Sequence, residues 1–315
     1  MQPRRIFVLG AGAIGASVGA LLFETGADCV LVVRDSEHGR AVVERGVDLR
    51  FPKTARTIRI PTATTASATP DDLVLLATMG HDTDAALEGV DPRVTVASFQ
   101  NGVAPLDTIM RRRHETLAAM VYVPAERRGP GVIALPGAPV PGTVLLGRWP
   151  TGGSRFGLWL ADRLRIAGFR AEVESAIGPW VRAKLLVNLG GIVAALCDDP
   201  PSDVIAAAQD EARAVWRATG EPFEDVPALI ARMGDIGTAP VDGQERLGGS
   251  TRAALARGDR LETVYLHRTI IEAGRAASIQ TPVNEHLVAL AEEATEKHWA
   301  PGATSAEELR RRVLS

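Results

Sequence analysis

The chain has 315 residues, of which 46% are hydrophobic, and its formal net charge is −3. This length is sufficient for two domains with substantial cores, and the charge shows no basic excess that would indicate nucleic acid or an anionic membrane as a partner. The only two cysteines, Cys29 and Cys197, lie in apolar segments, and the six histidines lack the spacing of zinc motifs. We therefore expect neither a disulfide nor a metal site.

The first apolar stretch reads Ile-Phe-Val-Leu-Gly-Ala-Gly-Ala-Ile-Gly over residues 6–15. A run of strand formers leads directly into three spaced glycines, and an apolar segment with helical spacing follows them. Gly10 allows a sharp turn, Gly12 leaves room for a pyrophosphate, and Gly15 lets helix and strand pack closely. The first turn of the helix would direct unpaired N–H groups at the phosphates. The stretch predicts a dinucleotide site formed by Gly10, Ala11, Gly12, Ala13, Ile14 and Gly15.

Arg4 and Arg5, which precede this apolar run, also suggest the start of a secretory signal. A signal has no need of glycines at this spacing, and Glu24 arrives before a convincing cleavage site. No uninterrupted apolar run has the length that a bilayer-spanning helix needs. We therefore expect a soluble, cytoplasmic protein.

A continuous apolar run over residues 29–33 predicts a second, buried parallel strand. NAD-specific folds place an Asp or Glu at the end of this strand, where it binds the ribose 2′-hydroxyl. Arg34 stands at that position, and a guanidinium suits a 2′-phosphate. Because Asp35 follows directly, NAD remains the alternative, and we favour NADP(H) as the cofactor.

Further strands are predicted over residues 73–77, 94–97 and 169–173, with shorter ones within 46–65 and 118–148, and helices over 81–87 and 156–167. The strand at 94–97 leads to Gln100-Asn101-Gly102, at the carboxyl edge of the sheet, where open α/β folds bind ligands. Asn101 is therefore a candidate site residue, although Asn-Gly is also an ordinary turn sequence.

Strand patterns stop near residue 174, and the rest of the chain is predicted to be helical. The predicted helices cover residues 177–197, 202–219, 226–233, 244–257, 263–278 and 283–298. Alternating strands and helices followed by helices alone predict two domains. The expected fold is α/β: an N-terminal Rossmann-type, doubly wound parallel sheet over residues 1–173 and an all-helical C-terminal substrate domain over residues 174–315. Basic runs at 111–113 and 310–312 are expected to be solvated helix faces.

Two pairs of polar residues in the helical half are candidates for chemistry. Lys184 and Asn188 are four residues apart and therefore share a helix face, beside a segment without charges in which a lysine needs a partner or a ligand. A solvated lysine followed by a surface asparagine is the simpler alternative. Ser250 and Glu262 flank a predicted helix break, where the helix dipole favours the glutamate, and simple helix capping explains Glu262 equally well.

Together these motifs resemble the ketopantoate reductase family (2-dehydropantoate 2-reductases), NADPH-dependent enzymes with a Rossmann domain and an all-helical substrate domain. The resemblance spans almost the full length. It rests on the glycine-rich loop, Arg34, Gln100-Asn-Gly102, Trp180-x-x-x-Lys184-x-x-x-Asn188, and Ser250 twelve residues before Glu262.

The resemblance implies an NADP-dependent oxidoreductase that reduces a 2-oxo acid, ketopantoate or a related ketone, to the 2-hydroxy acid. It assigns Lys184 as the acid that protonates the keto oxygen, since a nearby ammonium stabilises and neutralises the charge that hydride transfer leaves there. The remaining roles that it implies are Asn101 beside cofactor and substrate, Asn188 and Ser250 at the substrate, Glu126 at the cofactor, and Glu262 at the cofactor and in orienting the catalytic site. That site is expected between the two domains.

The chain departs from the family pattern in three places, one of which is the stretch Thr263-Val-Tyr-Leu-His-Arg268 after Glu262. Gly80 stands where the family usually has a lysine near the cofactor, and Ile192 stands where it usually has a second asparagine. If Ile192 faces the substrate, the pocket is more apolar, and 2-oxo acids with apolar branched side chains should compete with ketopantoate. The alternatives are an NADP(H)-binding protein without turnover and a reductase of a different ketone or of an imine, as in opine-type dehydrogenases. A homodimer is among the assemblies that the sequence allows.

Overall fold

A computed structural model describes residues 1–112 and 114–315, and these divide into two units. The first unit comprises Met1–Gly178 and Ala231–Arg246, and the second comprises Pro179–Ile230 and Leu247–Ser315. The strands are β1 (Ile6–Leu9), β2 (Cys29–Val32), β3 (Val47–Arg50), β4 (Ala55–Ile58), β5 (Thr62–Ala63), β6 (Leu73–Leu76), β7 (Thr95–Ser98), β8 (Thr116–Tyr122), β9 (Glu126–Gly129), β10 (Val132–Ala134), β11 (Gly137–Ala138), β12 (Thr143–Arg148), β13 (Arg170–Val173) and β14 (Gly237–Thr238).

Most of the predicted helices are present, several of them with different ends, whereas the helices Glu37–Arg45, Ala104–Arg111 and Ala306–Val313 have no predicted range. Those before residue 178 are α1 (Ala13–Glu24), α2 (Glu37–Arg45), α3 (Thr83–Ala86), α4 (Ala104–Arg111) and α5 (Gly157–Ile166), with a 3-10 turn at Gly80–Asp82. The later ones are α6 (Gly178–Leu189), α7 (Gly191–Leu196), α8 (Ser202–Thr219), α9 (Val226–Met233), α10 (Ser250–Arg257), α11 (Glu262–Ala276), α12 (Pro282–Glu296) and α13 (Ala306–Val313). Of the two basic runs, Arg111 and Arg310–Arg312 lie on α4 and α13, and residue 113 lies outside the described residues.

The first unit is built on an eight-stranded sheet with the order β13-β12-β8-β7-β6-β1-β2-β5. The six strands from β8 to β5 are parallel, while β12 is antiparallel to β8. The chain winds outward from β1 in one direction and then returns to β6 on the other side, which makes the β1–β6 boundary the topological switch point. Leu9 pairs with Leu76 across it, so the residues that follow these two strands emerge side by side. The predicted Rossmann-type sheet is confirmed.

The apolar runs of β1 and β6 explain why this sheet forms at the centre. All eight residues of the two strands are buried, because helices cover both faces of a parallel sheet and each side chain of either strand faces an apolar layer. A smaller sheet in the order β4-β3-β10-β9 belongs to the same unit. Its strand β3 contributes the alternating Val47 and Leu49, which are completely buried.

The residues Ala231–Arg246, called here the returning segment, pack with the first unit. The expected boundary at residue 173 assigned them to the helical domain. Strand β14 pairs antiparallel with β11, and the Met233 carbonyl accepts hydrogen bonds from Thr143 Oγ1 (2.9 Å) and Arg170 Nη1 (3.0 Å). Strand β14 has only two residues, and both are exposed. It therefore lacks the alternation of apolar and polar residues that predicts a strand.

The second unit consists of helices around an apolar core. Its largest cluster is formed by residues of α7, α8 and α10–α13, including Ile192, Leu196, Val204, Leu287 and Leu290. The stretch Gly178–Leu196 is apolar and long enough to span a membrane by composition, but 61% of that window is buried, as in the core of a globular protein.

The single helix predicted over residues 177–197 is two helices, with a break at Gly190. A Cβ on Gly190 would lie 3.1 Å from Ile205 Cγ2, and one on Gly191 would lie 2.8 Å from Thr251 Oγ1. The two glycines therefore let α8 and α10 approach the chain closely. The helical spacing of the apolar residues gives no indication of these contacts.

Candidate active site

The glycine-rich loop lies at the switch point of the large sheet. Gly10 has a φ of +103°, and a Cβ there would lie 2.7 Å from the Ala77 carbonyl carbon. A Cβ on Gly15 would lie 1.9 Å from the Gly10 carbonyl oxygen, whereas one on Gly12 would meet no described atom within 4 Å. The intervening residues, Ala11, Ala13 and Ile14, are half-buried against the core. The backbone therefore packs tightly at Gly10 and Gly15 and leaves free space beside Gly12. A pyrophosphate that binds to backbone N–H groups requires such space.

A shallow pocket of about 220 Å³ lies at the end of β2. Arg34 is exposed at its edge, and Arg40 of α2 also lines it. The Asp35 carboxylate, which could have favoured a ribose hydroxyl, forms an ion pair with Arg40 (Nη1 to Oδ1, 2.5 Å). The remaining lining residues are Val33, Asp35, Gly39, Val43, Glu44 and Thr64. The guanidiniums of Arg34 and Arg40 therefore lie beside this pocket. The ribose of a bound dinucleotide would lie here, at the end of β2.

Gln100 joins the carboxyl ends of β6 and β7. Its buried side-chain amide donates to the carbonyl oxygens of Thr78 (3.2 Å) and Met79 (3.1 Å) and to Thr83 Oγ1 (3.0 Å). Thr83 in turn donates to the Gly80 carbonyl (2.7 Å). This network fixes the turn that carries Gly80 and positions Asn101, which is half-buried directly after Gln100.

Lys184 and Asn188 lie on one face of α6, as their spacing predicts. The Lys184 Nζ donates a hydrogen bond of 2.8 Å to Asn188 Oδ1, and both side chains are half-buried while Leu185 and Leu186 between them are buried. An ammonium has three N–H groups, and this hydrogen bond sets the direction of one of them. The pair can present an oriented proton donor.

Ser250 and Glu262 each open a helix of the second unit. Ser250 is the exposed first residue of α10, and Glu262 is the half-buried first residue of α11. A carboxylate in the first turn of a helix is stabilised by the dipole. Both interpretations of Glu262, a site residue and a helix-start residue, agree with this position.

Glu126 differs from the other candidates because it belongs to the smaller sheet. It is the first residue of β9 and only 7% exposed. Its carboxylate lies 3.5 Å from Arg128 Nη2 and 3.6 Å from Arg246 Nε. The pair with Arg246 connects β9 to the returning segment, a structural function that the family resemblance does not imply.

Ile192 is placed differently from the hypothesis that it lines a substrate pocket. Its side chain is completely buried in the apolar core of the second unit, on α7 and beyond the helix break at Gly190. The expected change in substrate preference therefore loses its physical basis.

The described residues fall into two groups of candidates. In the first unit, the glycine-rich loop, Arg34, Gly80 and Asn101 follow the carboxyl ends of the adjacent strands β1, β2, β6 and β7, so they share one sheet edge. In the second unit, Lys184 and Asn188 are in contact, and Ser250 and Glu262 occupy helix starts. No group of three or more His, Cys, Asp or Glu side chains in residues 1–112 and 114–315 could hold a metal ion.

Two residues near the glycine-rich loop are not among the candidates predicted from the sequence. Arg40 lines the pocket at the end of β2 because the first turn of α2 places it there. The helical spacing after Ser36 could have indicated this position of Arg40. His38 contacts the glycine-rich loop (Nε2 to the Ala11 carbonyl oxygen, 2.8 Å). An isolated histidine on a polar helix carries no such information in the sequence.

Comparisons with known proteins find ketopantoate reductases that are similar to this chain in sequence and in fold. A family model described as ketopantoate reductase PanE/ApbA matches residues 6–151. The 2-dehydropantoate 2-reductase of Pyrococcus abyssi is 27% identical over 293 residues, covering 89% of this chain and 94% of that protein. The structure of a PanE/ApbA family ketopantoate reductase from Ralstonia eutropha JMP134 has a TM-score of 0.77 and 26% identity, covering 93% of this chain and 99% of that one. A D-mandelate dehydrogenase with NADH and anilino(oxo)acetate, at 19% identity and a TM-score of 0.76, covers 93% and 99% and shares the fold.

Proposed function

Because the chain belongs to the ketopantoate reductase family, a family of nicotinamide-dependent oxidoreductases that act on a CH–OH group, we propose that it reduces a 2-oxo acid with NADPH. The substrate is ketopantoate or a related ketone, and the product is the 2-hydroxy acid. The observation that carries the proposal is the oriented Lys184 ammonium on α6, held by Asn188 at 2.8 Å.

The choice of NADPH rests on the pocket at the end of β2. Arg34 would face the 2′-phosphate, and a guanidinium recognises a phosphate by paired, charge-assisted hydrogen bonds. Arg40 supports this choice in a second way, since its ion pair with Asp35 offsets a carboxylate that would repel the phosphate. The open backbone at Gly12 would receive the pyrophosphate.

The residues have distinct tasks in the reaction. A nicotinamide, when bound, would supply the hydride for the carbonyl carbon. Lys184 then gives a proton from Nζ to the carbonyl oxygen, so that the carbonyl becomes a hydroxyl and the developing charge is neutralised. Asn188 keeps the ammonium in one direction, and Asn101 and Ser250 offer hydrogen bonds to substrate oxygens. Glu262 would contact the cofactor and orient the site.

The test is to mix the purified protein with NADPH and a panel of 2-oxo acids that includes ketopantoate and 2-oxoisovalerate, and to follow the NADPH absorbance. We expect oxidation of NADPH with at least one member of the panel and little with NADH. The Lys184→Ala variant serves as the control for chemistry in the proposed site. Tight binding of NADPH without turnover of any ketone would contradict a reductase and support the NADP(H)-binding alternative; turnover of imines alone would support the opine-type alternative.

The proposed location is the cytoplasm. Cys29 and Cys197 are both free and buried, and burial raises the pKa of the Cys29 thiol to about 12, so that thiol remains protonated and unreactive at neutral pH. Free, buried thiols are compatible with a reducing compartment. A homodimer stays a prediction, which light scattering of the purified protein would test.

A further inference from the structure

His38 lies in the first turn of α2 and connects three segments of the first unit. Its Nε2 is 2.8 Å from the Ala11 carbonyl oxygen of the glycine-rich loop. Its Nδ1 accepts a hydrogen bond of 3.1 Å from the backbone N–H of Gly131, in the turn between β9 and β10. One imidazole thus links α2, the glycine-rich loop and the smaller sheet.

These contacts determine the tautomer of the ring. A backbone N–H can only donate, so Nδ1 must present its lone pair to Gly131. In a neutral imidazole the proton is then on Nε2, which donates to the Ala11 carbonyl. Both ring nitrogens are used, and the ring cannot exchange these roles without losing both hydrogen bonds.

The anchors of His38 are themselves fixed. The Gly131 carbonyl accepts a hydrogen bond of 2.8 Å from the Asp48 N–H of β3. The start of α2 is capped by Ser36 Oγ, which accepts from the Gly39 N–H at 3.0 Å. The imidazole is therefore held in place before any ligand reaches the loop.

The hydrogen bond to Ala11 sets the orientation of the Ala11–Gly12 peptide. In a planar trans peptide the C=O and the following N–H point in opposite directions. Since the Ala11 carbonyl points to His38, the Gly12 N–H points away from α2. Next to this N–H is the open space at Gly12, where a Cβ would meet no described atom within 4 Å, so the donor is available to an anion at the start of α1.

We propose that His38 is a positioning residue for the cofactor: through the Ala11 carbonyl it holds the Gly12 N–H in the direction that binds the pyrophosphate of the dinucleotide. The inference rests on the proposed use of NADPH and adds to it a residue outside the glycine motif. Its specific consequence is that His38 acts on the pyrophosphate, which NADPH and NADH share, and not on the 2′-phosphate, which Arg34 would bind.

The experiment compares three ligands on three proteins. The proteins are the unmodified chain, His38→Leu and His38→Gln; the ligands are NADPH, NADH and adenosine 2′-monophosphate, which carries the 2′-phosphate without a pyrophosphate. We expect His38→Leu to weaken NADPH and NADH by the same factor of about 10 and to leave adenosine 2′-monophosphate unchanged. A glutamine can donate to the Ala11 carbonyl from its amide, so His38→Gln should recover most of the loss. At saturating NADPH the kcat of His38→Leu should remain within a factor of about two of the unmodified value.

Three results would overturn the inference. If His38→Leu binds both dinucleotides as tightly as the unmodified protein, the loop does not need the imidazole. If it weakens adenosine 2′-monophosphate as much as NADPH, the substitution has displaced α2, and His38 is only a structural residue. If the unmodified protein binds neither dinucleotide, the proposed function fails together with the inference, and this case is recognised before any variant is measured.

Discussion

In the proposed complex with the cofactor, the side chain at position 34, at the end of β2, would meet the part in which NADPH and NADH differ. Arg34→Ala should weaken NADPH binding about 10- to 100-fold, because hydrogen bonds to charged groups contribute about 1.5–3 kcal/mol, and should leave NADH binding unchanged. The measurement is the Kd of both cofactors by fluorescence titration. Arg93→Ala is the control, since Arg93 is exposed and pairs with Asp91. Equal affinity of the unmodified protein for the two cofactors would remove the assignment to NADPH.

Lys184 is the residue on which the proposed chemistry depends. Lys184→Ala should lower kcat by about 10²–10⁴, the usual contribution of a positioned acid, while NADPH still binds. The matched control is Lys297→Ala, because Lys297 also contacts a residue four positions away, Glu293 at 2.7 Å, but on an exposed helix surface. Unchanged turnover in Lys184→Ala would show that Lys184 has no role in proton transfer.

The core position of Ile192 leads to a prediction about stability at the scale of the helices. Ile192→Asn places an amide among apolar side chains of α7, α8 and α12, and an unpaired buried polar group together with lost packing should reduce the free energy of unfolding by about 2–5 kcal/mol. Urea denaturation measures this change. Ile230→Asn is the control, because Ile230 is 57% exposed and should tolerate the amide. A stable Ile192→Asn protein with altered substrate preference would instead support the original view of Ile192 as a pocket residue.

His267 joins α11 to α12 and α8 by a buried polar network. Its Nδ1 lies 2.6 Å from Asn284 Oδ1, and the Asn284 amide donates to the Ala208 carbonyl at 3.1 Å and to Glu211 Oε2 at 2.6 Å. Burial lowers the pKa of His267 to about 4 from its ordinary value of 6.5. The histidine is therefore neutral in the folded protein at pH values where the unfolded chain already binds a proton.

This difference predicts a pH dependence of stability with a definite sign. The unfolded state gains the proton as the pH falls through about 6.5 and the folded state only near 4, so stability should fall between these values and change no further from this group below them. Between about pH 7 and about pH 5 the loss should be about 2 kcal/mol. His267→Gln should lose that much less over the same range, measured by urea denaturation, whereas the exposed His298 can be replaced by Gln without this effect. Parallel pH profiles for the unmodified protein and His267→Gln would contradict the prediction.

The elements that could be predicted from the sequence are those in which the pattern of burial is regular along the element. The strands β1 and β6 are continuous apolar runs because both of their faces are buried, and α8 agrees with its predicted range over Ser202–Thr219 because its buried positions recur with helical spacing. The break at Gly190 was not predicted, although two adjacent glycines in a helical pattern can indicate one; the close approach of Ile205 and Thr251 to these glycines is remote in sequence and has no local signal.

The same limit applies to the candidate site. The glycine spacing and the position of Arg34 predict a sheet edge because both follow strands directly. In contrast, Arg246, which pairs with Glu126, lies in a segment that returns from the helical half, and the link between His38 and Ala11 depends on how α2 lies beside the loop. Neither contact leaves a periodic or spaced pattern in the chain.

At the scale of the whole molecule, the returning segment makes the first unit discontinuous. Arg128 of β9 binds the returning segment by two hydrogen bonds. Its Nη1 donates to the Val241 carbonyl (2.6 Å) and its Nη2 donates to the Gln244 carbonyl (3.3 Å). Arg128→Ala should therefore speed amide hydrogen exchange at Val241 and Gln244 by about 10-fold or more, because the two residues also bond to each other through their backbones.

Hydrogen exchange read by mass spectrometry over residues 231–246 would measure this effect. Arg56→Ala is the control, since Arg56 pairs with Glu24 and makes no hydrogen bond to the returning segment among the described contacts. Exchange that is equally slow in all three proteins would show that β14 and the Met233 carbonyl contacts hold the segment without Arg128.

The discontinuity also has a consequence for the order in which the chain is made. A ribosome releases the strands of the large sheet by the time residue 173 has emerged, yet β11 receives its neighbour β14, and Glu126 its ion pair with Arg246, only some seventy residues later. During that interval the nascent first unit has the sheet edge that carries the glycine-rich loop but lacks the returning segment. Since nascent domains fold as units during synthesis, the first unit becomes complete only after the helices α6–α9 have been added.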